Sequence, residues 1–125
     1  MNSKLIMAAR IIFGLILLIF GLNKFLDFLP PLEANDAANN FFGALINTGY
    51  MMSFIAITEI IAGILLFANK FVPLALVIIF PIMINAFLFH LFLDPGNIVP
   101  ALLSISLNII LFFVHKRSYD GILSA

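Results

Sequence analysis

The chain has 125 residues, of which 64% are hydrophobic and only 10% charged. A soluble domain is nearer about a quarter charged, and one this short could not bury so much apolar surface, so lipid has to cover it. A formal net charge of zero offers no basic field for nucleic acid. The absence of cysteine excludes disulfides, thiolate zinc sites, iron–sulfur clusters and any thiol relay carried by this chain itself.

The first apolar run reads as a transmembrane helix over about 4–29. It is too long for a signal peptide, and it ends in Asn23–Lys24 without a small-residue cleavage pattern. Pro30–Pro31 terminates it, because neither residue supplies the next backbone donor. Arg10, Gly14, Leu17, Gly21 and Lys24 share one narrow stripe. The two glycines on that stripe permit close approach of another helix. Arg10 and Lys24 sit near the helix ends, from which both can snorkel to the headgroups.

The segment from Leu32 to Gly49 is the one polar stretch of any length. Asn35 or Asp36 is placed to cap a short helix, with Phe41, Phe42, Leu45 and Ile46 on one face. Such a helix would lie at the membrane surface or fold back onto the mouth of a bundle; an irregular loop is the alternative.

The second span, about 50–69, carries Glu59 near its centre. An ionised carboxylate at that depth costs at least about 2.5–3.5 kcal/mol on insertion scales. Met52, Ala56, Ala62, Gly63 and Leu66 share its face, a set of mostly small residues suited to packing against protein. The third span, about 72–93, contains Pro81, which should kink it, and Asn85 one turn further on. His90 lies close to its exit, and the composition of Asp94–Pro95–Gly96–Asn97 is that of a turn. The fourth span, about 98–114, carries Ala101, Ser104, Asn108 and His115 along one stripe and ends in His115–Lys116–Arg117.

The predicted architecture is therefore all-α: a bundle of four transmembrane helices in one domain, with a loop or amphipathic helix between the first two. Lys4, Arg10, Lys70, Lys116 and Arg117 fall at one side, and Lys24 with most of the acids at the other. The positive-inside rule then places both termini in the cytoplasm of a cell that carries the protein in its (inner) membrane, and the 30–49 segment outside.

Counting residues from the helix ends brings Glu59, Asn85 and Asn108 to similar depth, with Lys24 above them and Arg10 below. Two readings are open. One is a polar core, made by Glu59, Asn85, Asn108, Lys24, Arg10 and His90, that binds a small head group or exchanges protons. The other is a set of interhelical hydrogen bonds that only hold the helices together. His90 also reads as an interfacial histidine paired with Asp94. His90 and His115 lie at opposite ends, so no metal site is expected.

The run ARIIFGLILLIFGLNKF, the PP pair, TEIIAGILLFANKFVPLAL and FPIMINAFLFHLFLDP occur in that order. This order resembles the DoxX family of small membrane proteins, over Ala9 to about Arg117. The resemblance implies a four-helix membrane bundle and an association with membrane oxidoreductase complexes. The founding name belongs to a subunit of a thiosulfate:quinone oxidoreductase. It carries over no catalytic residue. A redox role would need a quinone or a partner subunit, and the partners implied are the bilayer, such a subunit, or a further copy of the chain. A non-enzymatic scaffold and a small proton-coupled transporter are the alternatives. The transporter finds little support, because four helices show no inverted repeat on which to build alternating access.

Overall fold

The computed structural model describes residues 2–31 and 33–125, and it is helical throughout its ordered elements. Leu32, where the polar segment was expected to begin, lies outside the described residues. Helix α1 is Ser3–Leu26, α2 Asp36–Asn47, α3 Met51–Phe67, α4 Val72–Leu93, α5 Val99–Val114 and α6 the single turn Asp120–Leu123. Short 3-10 turns at Pro95–Asn97 and Lys116–Tyr119 link the last three.

Four longer helices, α1, α3, α4 and α5, pack side by side, with α1 most extensively against α3. Their ends are fixed by hydrogen bonds across the chain. At one end Arg10 meets the last turn of α3, and the Tyr119 hydroxyl donates to the Pro73 carbonyl at 2.9 Å. This terminal end gathers both chain termini and the α3–α4 turn. The opposite, loop end holds α2 and the α4–α5 turn.

Phe13, Leu17, Ala62, Leu66, Val72, Ala75, Leu76, Ile79, Met83 and Leu111 form the apolar core. Outside it the pattern is that of a lipid-facing surface. Ile12, Ile61, Leu74, Leu103 and Phe113 are among the many large apolar side chains left exposed. Water would not tolerate so continuous an apolar exterior; a bilayer supplies the matching solvent. Helices α1 and α4 are each long and apolar enough to cross a membrane. The pairs α2–α3 and α5 with the C-terminal segment meet the same test only jointly, being bent by 91° and 80°.

Several helix ends depart from the expectations. Helix α1 stops at Leu26 rather than Leu29, because Asp27 adopts a left-handed conformation (φ 50°) and its N–H closes onto the Asn23 carbonyl. The Asn23 side chain then accepts from Leu29 N at 2.7 Å, which turns the chain before the prolines arrive. The α3–α4 turn is tight enough to put both Asn69 and Phe71 at positive φ. Helix α4 continues through Pro81 as one element, with Pro73 in its first turn.

The segment between the first two long helices contains a helix, capped by Asn35, whose side chain accepts from Ala38 N at 2.9 Å. It is folded back onto the mouth of the bundle. Ala38 is fully buried, and Phe41 and Phe42 stack on Phe89 of α4 with ring centroids 5.1 and 4.7 Å away. Asn35 Nδ2 donates to the Leu93 carbonyl, and Asn97 Nδ2 to the Glu33 carbonyl, which ties the preceding linker to the α4–α5 turn.

Candidate functional site

The site begins with a steric condition. A side chain on Gly21 would meet the Ala56 carbonyl oxygen at 3.1 Å and Glu59 Cβ at 3.1 Å, so only glycine lets α1 lie this close to the Glu59 turn of α3. That approach brings Lys24, one turn beyond Gly21, over the carboxylate. Lys24 Nζ lies 2.6 Å from Glu59 Oε1. The approach is off the angles of a good hydrogen bond, so Oε1 is ion-paired without being well hydrogen-bonded. Lys24 Nζ also reaches the Phe20 carbonyl at 3.4 Å. The two partners differ in burial: the Glu59 side chain is 6% exposed and that of Lys24 21%. Glu59 is thus enclosed and Lys24 is the member that reaches toward the loop end.

The six polar residues singled out in the sequence do not form one cluster. Asn108 is fully buried, but its Nδ2 bonds the Leu76 carbonyl of α4 at 3.4 Å and its Oδ1 has no partner among the described residues. Leu76 lies one turn into α4, so this contact sits nearer the terminal end than Glu59, which is at the middle of α3.

Asn85 corrects the expectation most sharply. It is exposed on the outer surface of α4, away from the core face formed by Val72, Ala75, Leu76, Ile79 and Met83. Apolar residues surround α4 on every side, so periodicity gave no sign of which side faces inward, and the polar residue turned out to lie on the other one.

Arg10 has a definite task at the terminal end. Its guanidinium donates to the carbonyls of Leu66 at 2.5 Å and Phe67 at 3.0 Å in the last turn of α3, where a cation is also favoured by the helix dipole. His115 stands within its field, and burial first and the Arg10 charge second hold the imidazole below its ordinary value. Protonation therefore opposes folding. Stability is complete above the unfolded value of 6.5 and is lost as the pH falls through the lowered folded value. Thermal unfolding in detergent is expected to shift down between about pH 7.5 and about pH 5, and His115→Phe to flatten that dependence.

His90 belongs to a separate cluster at the loop end. Its Nδ1 lies 3.6 Å from Asp94 Oδ2, and Asn97 Nδ2 donates to both Asp94 oxygens at 3.2 and 3.0 Å. Asp94 is buried, and this network closes the α4–α5 turn. Asn97 was not among the expected residues; its place two residues after Pro95 in a turn was the signal for it. Among the described residues, no three His, Asp or Glu side chains stand close enough to hold a metal.

Space for a ligand occurs elsewhere. An open groove of about 550 Å³ lies between α4, α5 and the C-terminal segment, against Val77, Phe80, Pro81, Phe112, Lys116 and Tyr119. A smaller one adjoins it at Pro73, Ser118 and Tyr119. Glu59 lines neither.

The arrangement is that of a helical membrane protein in which glycine-mediated contact between two helices seats a buried ion pair. The sequence model of the DoxX family matches residues 5–91, and the chain belongs to that family. The match takes in α1 through nearly all of α4, including both members of the ion pair. No curated protein and no solved structure matches the chain.

Proposed function

We infer that the protein is a redox-associated membrane subunit that holds the head group of a quinone, or of another small lipid-soluble molecule, at the Glu59–Lys24 pair. The pair itself carries this reading. It sets an acceptor beside a multiple donor at the middle of an apolar bundle, with Lys24 partly accessible from the loop end. Lys24 would hold a carbonyl or phenolate oxygen, and Glu59 would give or take the proton that accompanies its redox change. A bound quinone would supply the two-electron chemistry, with electrons from a partner oxidoreductase subunit.

In this reading α1, α3, α4 and α5 each cross the cell (inner) membrane. The 17 residues of α3 and 16 of α5 span about 25 Å, which needs local thinning or use of the flanking turns. Lys4, Lys70, Lys116 and Arg117 all collect at the terminal end, and this supports cytoplasmic termini.

A second reading has its own support: these two surface grooves do not border Glu59, and Gly21 packs directly on Glu59 Cβ. On that reading the pair is structural and the protein is a non-enzymatic scaffold. Titration of the purified protein with ubiquinone and menaquinone separates the two. Saturable binding that weakens roughly tenfold in Glu59→Gln, about the worth of one charge-assisted hydrogen bond, is the expected result. Equal affinity in the variant removes Glu59 from the site, and absence of binding by the wild type leaves the scaffold.

A further inference from the structure

Asn85 stays outside the bundle, and its surroundings say what it is for. Leu74, Ile78, Pro81, Asn85, Leu88 and Phe92 are all exposed and follow one another at alternating steps of four and three along α4. Any helix face has that spacing; the amide at its centre is what needs an account. Asn85 is eight residues from Leu93, roughly 12 Å along the helix from the loop end, which is hydrocarbon depth.

Other polar side chains on the flanks of the bundle at such depth satisfy themselves locally. The Thr58 hydroxyl donates to the Phe54 carbonyl at 2.8 Å and that of Ser106 to the Leu102 carbonyl at 2.7 Å. Asn85 makes no such bond among the described residues, and lipid tails offer neither a donor nor an acceptor. An amide carries one of each, so its simplest complement is another copy of itself across a two-fold axis.

We propose that the chain pairs with a second copy along the exposed stripe of α4, with the two Asn85 amides hydrogen-bonded reciprocally at the axis. A single polar residue in an otherwise apolar helix seam fixes register and partner number in this way. The pairing holds whatever the Glu59 site binds.

The native chain contains no cysteine, so single-cysteine variants report without background. In native membranes under mild oxidation, Ile78→Cys and Leu88→Cys, which flank Asn85 on the exposed stripe and keep its amide, are expected to give disulfide-linked dimers. Ile19→Cys and Ile61→Cys, on the exposed faces of α1 and α3, should stay monomeric. In detergent, Asn85→Leu should raise the dimer dissociation constant by roughly 3- to 30-fold, with Asn85→Gln retaining part of the affinity. Cross-linking of Leu88→Cys no stronger than that of Ile19→Cys would overturn the proposal. So would a cross-linked product containing a different protein, or a dimer unaffected by Asn85→Leu.

Discussion

Gly63→Leu is expected to separate α1 from α3 and to cost about 3 kcal/mol or more of stability in detergent. Two opposing effects decide the sign. Replacing glycine inside a helix favours folding by up to about 1 kcal/mol, because the unfolded chain loses freedom. Here the new side chain has nowhere to go. Its first carbon would lie 3.0 Å from the Gly14 carbonyl oxygen, 3.1 Å from Leu18 N and 2.8 Å from Leu18 Cγ. Two of those atoms are backbone, so relief requires the helices themselves to move apart. The contact is mutual: a side chain on Gly14 would meet Phe67 N at 3.0 Å and the Gly63 carbonyl oxygen at 3.1 Å. Gly43, a half-buried position of α2 with no atom within 4 Å of a prospective side chain, supplies the control. Gly43→Ala should raise stability by about 0.5–1 kcal/mol. Unfolding titrations in mixed micelles measure both, and a Gly63→Leu protein as stable as wild type would show that the α1–α3 contact is dispensable.

The same contact shows what can be read from a chain this apolar. The Gly14–Gly21 stripe and the small residues around Glu59 both mark faces where helices approach, and the structure sets them against each other. Small residues are informative because lipid gives no reason to prefer them; packing does. The Ala101, Ser104 and Asn108 stripe was legible on the same basis and is buried. Asn85 was misread because a polar residue in an apolar helix identifies a contact but not its owner. The contact can belong to the same bundle or to another molecule. Arg10 was placed at the correct end, yet its role depends on carbonyls 56 and 57 residues away, and no local pattern encodes that. The bond from Tyr119 to Pro73 and the ties from Asn35 and Asn97 across the loop end were missed for the same reason.

Lys24→Met is expected to destabilise the protein by about 3 kcal/mol, more than the removal of its partner. The difference follows from burial. Without Lys24, the Glu59 carboxylate is left in a 6% exposed site from which its ion-pair partner has been removed. Without Glu59, Lys24 is already 21% exposed and close to the end of α1, so its ammonium can extend to the interface. Glu59→Leu should then cost only about 1 kcal/mol, and it preserves the Cβ on which Gly21 packs. The double variant Lys24→Met/Glu59→Leu should recover most of what Lys24→Met loses, since well-packed apolar pairs commonly equal or exceed buried ion pairs in stability. Equal, additive losses in the two single variants would mean that the charges do not interact energetically. The cycle also bears on function. A double variant that is as stable as wild type but no longer binds quinone would show a pair kept for its chemistry, because folding alone could have been served by two apolar side chains.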